Sequence, residues 1–358
     1  MGTFKKRVAI LGSGFPTQIT IPALRAESWD VRALFSRNPD RAKQIAGELE
    51  IPHHSADATA IIKREDIDVV VVSTPTSTHH GFVLSALAAG KHVLCEKPLA
   101  FSLEQGREML DAAQASGLTA MCNFEFRFTE PRLHITRLVQ EGRIGTPQSA
   151  IATLVVTSPL SRSPLDWRSR RDMGGGALNE PGSDYFDALR SWMGEVTSVS
   201  CHLAGHETHR TDPETGERLE SDVDDFFSAT LTFESGASAL VGIVWSERVP
   251  ASGALHLIGP GGTISHTGPR SLFESGPVTY TPPLAPGSNE APPLALPDGI
   301  IRRSEPQIID ASRSLLREFE RGVAEGYSPA PNFEDGFRTQ AILDAARESA
   351  LTGRVIPL

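Results

Sequence analysis

"VAILGSGFPTQITIPAL", residues 8–24, decides how the chain begins to fold. An apolar run ends in Gly12, Ser13 and Gly14, and a helix-like stretch opened by Phe15 and Pro16 follows. Gly12 permits a tight turn after a strand, and Gly14 lets backbone N–H groups approach a pyrophosphate at the helix N-terminus. Proline suits a first helical position, where no N–H bond is lost. Thr17 stands where the pattern has its third glycine, and should loosen helix–strand packing slightly. Strand, glycine turn and helix in this order make residues 12–16 a candidate dinucleotide loop.

The loop sits in an alternating pattern. Apolar runs recur at 7–11, 31–35, 68–73, 92–95 and 118–122, without the period-2 alternation of half-exposed strands. Helix patterns at 39–49, 80–89 and 103–115 separate them, the last with Ser102 as N-cap. This predicts a doubly wound α/β domain over 1–125. Beyond it the character changes. A helix at 131–141 leads into alternation at 149–157, and "FFSATLTFESGASALVGIVW" (226–245) reads as an antiparallel hairpin turning at 234–236. Strands at 196–203 and 254–258 and helices at 307–324 and 333–350 complete a sheet-rich α+β domain over 126–358. Its C-terminal helix is a candidate to pack back on the first domain. The proline-rich stretch 277–297 and the pair His53–His54 read as loops.

Composition narrows the class. With 358 residues, 39% hydrophobic and 22% charged, the chain has the balance of a soluble globular protein. A net charge of -10 argues against a nucleic-acid partner. No apolar run is long enough to span a membrane, and the basic N-terminus runs into a strand rather than a signal-peptide core, so a cytoplasmic location is expected. Cys95, Cys122 and Cys201 form no CxxC pair, which fits a reduced compartment and supplies no zinc framework. His202, His206 and His209 have a tempting spacing, but no carboxylate or thiol set closes a site, and no metal is expected.

The second strand ends "LFSRNPDRA" (34–42). A carboxylate there would accept bonds from the ribose hydroxyls of NAD; Ser36, Arg37 and Arg41 stand there instead and suit a 2′-phosphate. NADP is favoured, with NAD still possible. "HVLCEKPLA" (92–100) places Glu96, Lys97 and Pro98 at a strand's carboxyl end, where open α/β sheets bind ligands. Pro98 restricts Lys97 to extended conformations.

"TPTSTHHGFVLSALAAGKHVLCEKPLA" (74–100) resembles the glucose–fructose oxidoreductase/inositol dehydrogenase (Gfo/Idh/MocA) family. So do "MCNFEFRFTEP" (121–131), "EGRIG" (141–145), "DWRSRRDMGGGAL" (166–178), "LTFESGA" (231–237), "NFEDGF" (332–337) and "SALTGR" (349–354). The resemblance implies a Rossmann domain and an α+β domain with a large open, mostly antiparallel sheet. It implies that Thr74, Pro75, Thr76 and His79 line the cofactor cleft, with Glu96, Lys97 and Asn123 at the nicotinamide end. Trp167 and Arg168 resemble a pair that some NADP-using members set against the nicotinamide. An open sheet whose apolar face needs cover implies a homodimer or homotetramer.

"GGGALNEPGSDYFDALRSWMGE" (174–195) sets Glu180 and Asp184 four residues apart, on one face of a regular helix. The resemblance matches Glu180 to the family's aspartate and Asp184 to its histidine, which with the lysine surround the reacting carbon. An unperturbed aspartate is a poorer base than histidine near neutral pH. Three accounts stay open: Lys97 carries the proton while both carboxylates bind substrate hydroxyls; one carboxylate is a base raised by burial; or Asp184 answers a cationic substrate. Acids favouring a helix N-terminus are a fourth, purely structural account. Arg127 is a candidate substrate residue or a domain bridge. The expected activity is NAD(P)-dependent hydride transfer to or from a sugar, polyol or related hydroxy/keto compound, the partner being that small molecule. The alternatives are an NAD-recycling glycoside-cleaving enzyme and a non-catalytic NADP-sensing regulator.

Overall fold

The computed structural model describes residues 5–156, 167–206, 208–211, 215–245, 250–268, 276–284, 288, 294–295 and 307–358. The chain forms two compact units, Met1–Glu125 with Ile308–Gln340, and Phe126–Gln307 with Ala341–Leu358. Residues 308–340, expected in a second domain whose C-terminal helix is a candidate to pack back on the first, cluster with the first unit.

In the first unit, β1 (Arg7–Leu11), β2 (Asp30–Phe35), β3 (His53–Ser55), β4 (Val69–Val72), β5 (His92–Glu96) and β6 (Ala120–Asn123) form a parallel sheet of order β3-β2-β1-β4-β5-β6. All four valines of β4 are buried, as a strand covered on both faces requires. The strand order reverses between β1 and β4, and the glycine loop leaves the sheet there. Gly12 has φ 135°, and a β-carbon on it would stand 2.0 Å from the Ser73 carbonyl oxygen just past β4. The helix expected after the loop breaks at Ile19 into α1 (Phe15–Gln18) and α2 (Thr20–Ala26). Next come α3 (Pro39–Glu48), capped by Asn38, and α4 (Ala58–Ile62), capped by Asp57. Then follow α5 (His79–Ala88) and α6 (Leu103–Ser116), where Ser102 Oγ accepts from the Gln105 N–H as expected of the N-cap. His53–His54 is not a loop. These residues pair with β2 through main-chain bonds at the sheet edge, which need no apolar pattern.

In the second unit, α7 (Glu130–Gln140) precedes β7 (Ser149–Val156), and α8 (Ser183–Met193) precedes β8 (Val196–Ala204). The short strands β9 (His209–Thr211) and β10 (Arg218–Glu220) pair with each other. The remaining strands are β11 (Phe226–Phe233), β12 (Ser238–Trp245), β13 (Ser252–Gly259), β14 (Gly262–Gly268), β15 (Val278–Thr281), β16 (Leu294–Ala295) and β17 (Ile356–Pro357). Among the described residues the large sheet runs β16-β15-β14-β13-β7-β12-β11-β8-β17, antiparallel except for the pair β12–β7. β11 and β12 form the expected hairpin, and β11 alternates buried and open residues. One face carries the core with Tyr185, Phe186 and Leu189 of α8. On the other, the register partners Ile151 and Leu240 are exposed. The loop expected at 277–297 instead contains β15 and β16, which extend the sheet edge; 285–287, 289–293 and 296–297 lie outside the described residues. So do Thr157 of the predicted strand and Asp166 of the DWRSRR motif.

Two long helices end the chain. α9 (Gln307–Glu325) belongs to the first unit from residue 308. α10 (Phe333–Thr352) gives Phe333 and Phe337 to the first core and Ile342 and Leu343 to the second. Among the described residues no helix is long and apolar enough to cross a membrane.

Gly12→Ala should abolish nucleotide binding and lower the melting temperature, because its β-carbon would meet main chain rather than a movable side chain. Thermal unfolding and a cofactor titration on the same preparation check both effects.

Candidate active site

The nucleotide half is built at the ends of β1 and β2. Asn38 Oδ1 accepts the N–H of Arg41 at 3.1 Å and so sets Arg41 in the first turn of α3. From there its guanidinium donates to the Ser13 carbonyl at 2.8 Å and to Ser13 Oγ at 3.2 Å. Ser13 Oγ lies 3.1 Å from Ser36 Oγ. The structure thus gathers Ser13, Ser36 and Arg41, with Arg37 exposed beside them. Nothing lies within 4 Å of where a β-carbon of Gly14 would be, which leaves the main chain open to a ligand. Thr17 does more than replace a glycine: its hydroxyl donates to the Gly14 carbonyl at 2.7 Å and closes the turn.

At the ends of β4, β5 and β6, Thr74 and Pro75 are half-buried while Thr76 and His79 are closed off. Thr76 and His79, expected to line the cleft, are thus buried, and the His79 ring nitrogens lie on main-chain carbonyls. Asn123 Nδ2 donates to Glu96 Oε1 at 2.7 Å, so these two residues brace one another across β5 and β6. Lys97 follows, half-buried, at the carboxyl end of β5.

The second unit carries the glycine run. Gly174 and Gly176 have positive φ, and a β-carbon on Gly175 would meet the Arg168 carbonyl at 2.2 Å. Gly176 donates to that carbonyl at 3.2 Å. This close crossing sets Arg168, which lies over the Trp167 ring at 4.8 Å and donates from Nε to Glu180 Oε2 at 3.3 Å. Trp167, Arg168 and Glu180 are thereby brought together. Asp224 accepts the Leu178 N–H at 2.7 Å, and Asn179 donates to the Gly174 carbonyl at 3.0 Å while accepting from Arg347. Burial pushes the Asp224 carboxyl above the usual carboxylate range, the Leu178 N–H opposing it. No spacing motif marks Asp224, Asn179 and Arg347 in the sequence, since each braces a turn from elsewhere in the fold.

Glu180 and Asp184 do not lie in one regular α-helix. Pro181 has no N–H, and the Ala177 carbonyl is taken by Gly182, one residue later, at 3.0 Å. The result is a π turn over Leu178–Gly182, after which α8 begins. The two carboxylates consequently have different guanidinium neighbours. Asp184 is 1% exposed; burial pulls the nearby Arg132 guanidinium below the ordinary arginine range, and the charges of Asp184 and Asp187 oppose that pull. Arg132 also donates to the Asp184 carbonyl at 3.1 Å. Arg127, expected to face substrate or to bridge domains, instead donates to both oxygens of the fully buried Asp187 at 2.7 and 2.6 Å. A bidentate pair of this kind leaves little of the guanidinium for a ligand.

Elsewhere, His206 Nδ1 lies 2.8 Å from Asp225 Oδ1, and both His202 and His206 pack edge-on to Phe226. Among the described residues no group of three or more His, Cys, Asp or Glu could hold a metal.

Residues 6–124 match the family described as "Oxidoreductase family, NAD-binding Rossmann fold", and residues 133–265 match the GFO/IDH/MocA C-terminal domain. Levoglucosan dehydrogenase of Pseudarthrobacter phenanthrenivorans is 30% identical over 96% of this chain and 95% of its own length. The chain belongs to the GFO/IDH/MocA oxidoreductase family. D-xylose 1-dehydrogenase (NADP(+)) 2 of Haloferax volcanii is another member, 27% identical over 98% of both chains. A levoglucosan dehydrogenase structure in complex with NADH and levoglucosan superposes with TM-score 0.83 at 25% identity, covering 98% of both chains. Membership makes the protein an NAD(P)-dependent dehydrogenase or reductase of CH–OH groups.

Arg127→Ala would leave Asp187 buried without its bidentate partner. It should lower unfolding free energy by about 3–5 kcal/mol, read from denaturant unfolding, with little change in cofactor affinity.

Proposed function

We propose that this oxidoreductase favours NADP and transfers hydride to or from a sugar, polyol or related hydroxy/keto compound, with Lys97 carrying the proton. The cofactor preference rests on one arrangement: Ser13, Ser36 and Arg41 form a connected hydroxyl–guanidinium cluster where an NAD site would carry a carboxylate. Gly12 and Gly14 fit a pyrophosphate, the first because only glycine permits the turn, the second because open space adjoins its main chain. The substrate class rests on relatives named for levoglucosan and D-xylose.

A bound nicotinamide supplies the hydride acceptor or donor. In the oxidative direction the neutral Lys97 amine takes the hydroxyl proton on Nζ; in reduction the ammonium returns it to the carbonyl oxygen. Glu180, half-buried and oriented by Arg168, accepts hydrogen bonds from substrate hydroxyls. Asp184, the replacement for the family histidine, serves as a charge partner of the buried Arg132, whose guanidinium also donates to the Asp184 carbonyl. The outer sheet face carrying Ile151 and Leu240 is the surface through which copies of the chain associate.

Fluorescence titration should show NADPH binding at least ~10-fold tighter than NADH, a preference that Arg41→Asp removes. Equal affinities would return the protein to NAD. In a screen of levoglucosan, D-xylose and polyols, Lys97→Ala should lower kcat by about 10²-fold or more with cofactor affinity retained, whereas Asp184→Asn should cost stability. Near-normal turnover by the Lys97 variant would end the proton-carrier assignment.

A further inference from the structure

We infer that His79 is a positioning residue for Lys97, holding the lysine's turn at a fixed place relative to the loop that follows β4. The imidazole is 1% exposed and lies between two loops of the first unit. On one side Nε2 is 2.8 Å from the Thr74 carbonyl oxygen, just beyond β4. On the other, Nδ1 is 3.1 Å from the Pro98 carbonyl oxygen and 3.3 Å from that of Leu99, the two residues after Lys97. Carbonyl oxygens only accept, so each contact is a hydrogen bond when that ring nitrogen carries its hydrogen. The neutral ring supplies one such bond and the imidazolium supplies both.

Independent contacts hold the rest of the turn. Before Lys97, Glu96 is braced by Asn123. After it, the Leu99 carbonyl also accepts from Cys95 Sγ at 3.9 Å, and the Leu99 side chain lies where a β-carbon on Gly336 would stand 2.8 Å away. The main chain before Lys97 is held by the pairing of β5 with β4, and His79 links the residues after Lys97 to the loop that follows β4. A lysine that must meet a reacting oxygen depends on such a frame, because a misplacement of about 1 Å can cost about 10²-fold in rate.

That Lys97 moves the proton is the reading proposed above, so the test includes a measurement that does not depend on it. His79→Phe keeps the ring and removes both nitrogens; His79→Gln keeps a donor. In the full chain, trace acetylation followed by peptide mapping reads the reactivity of Lys97, with the exposed Lys43 and Lys63 as internal controls. The expected result for His79→Phe is a change of about 3-fold or more at Lys97 alone, with NADPH affinity within about 3-fold of the parent. On whichever sugar is turned over, kcat should fall about 10- to 100-fold with KM little changed, and His79→Gln should recover part of the loss. Unchanged Lys97 reactivity in a folded His79→Phe protein overturns the inference, as does loss of NADPH binding in step with kcat, which would place His79 in the cofactor site itself. Should the phenylalanine variant not fold, His79→Leu, which also lacks both ring nitrogens, decides by the same readings. Altered Lys97 reactivity without any effect of Lys97→Ala on turnover would uphold the positioning role and overturn only the proton-carrier assignment.

Discussion

A β-carbon on Gly12 would stand 2.0 Å from the Ser73 carbonyl, one on Gly175 2.2 Å from the Arg168 carbonyl, and one on Gly176 2.4 Å from Asp224 Oδ1. In each unit the candidate residues are built where the chain comes closer to its neighbours than any side chain allows. In the first unit this closeness lets the loop after β1 pass beside the end of β4, where the strand order reverses and the sheet opens a crevice for a ligand. In the second it presses the glycine run against the Arg168 main chain, and so brings that guanidinium to Glu180. The chemistry-bearing side chains stand where they do because glycines let the main chain pass.

A second constraint operates beneath the glycine run. Arg127 and Asp187 form a bidentate pair, and Arg132 is held in the interior by the charges of Asp184 and Asp187. Burying such groups is favourable only when each charge has its counterpart, since removal from water costs several kcal/mol per ion. Asp184 of α8 is one of the carboxylates with that electrostatic duty. Its substitution therefore bears on how α7 packs with α8.

The first domain was legible because its strands are buried on both faces, so their apolar runs appear unbroken in the sequence, and because Ser102 marks a helix start locally. β3 escaped notice since an edge strand held by main-chain bonds needs no apolar residues. β15 and β16 were hidden by the prolines around them. Of the candidate residues, the glycine loop, Ser36 and Arg41 stand out by type and spacing, and Lys97 and Glu180 through the resemblance to the family. Asp224, Asn179, Arg347 and Arg132 do not, because each acts on a partner remote in sequence.

The amino-acid sequence by itself determined the strand–glycine–helix opening, the alternation of the first domain, the hairpin of the second and the family to which the chain is similar. These follow from period, from the special freedoms of glycine and proline, and from short-range capping, all of which act within a few residues. Only the tertiary structure decided that Arg127 serves Asp187, that Asp184 serves Arg132, that His79 faces main-chain carbonyls, and that Pro181 turns the helix start into a π turn. The first three depend on which charges and acceptors are buried together, a property of packed elements that no local pattern encodes. In the π turn, the carbonyl that loses its usual donor finds the next available N–H, an outcome settled by the surrounding fold.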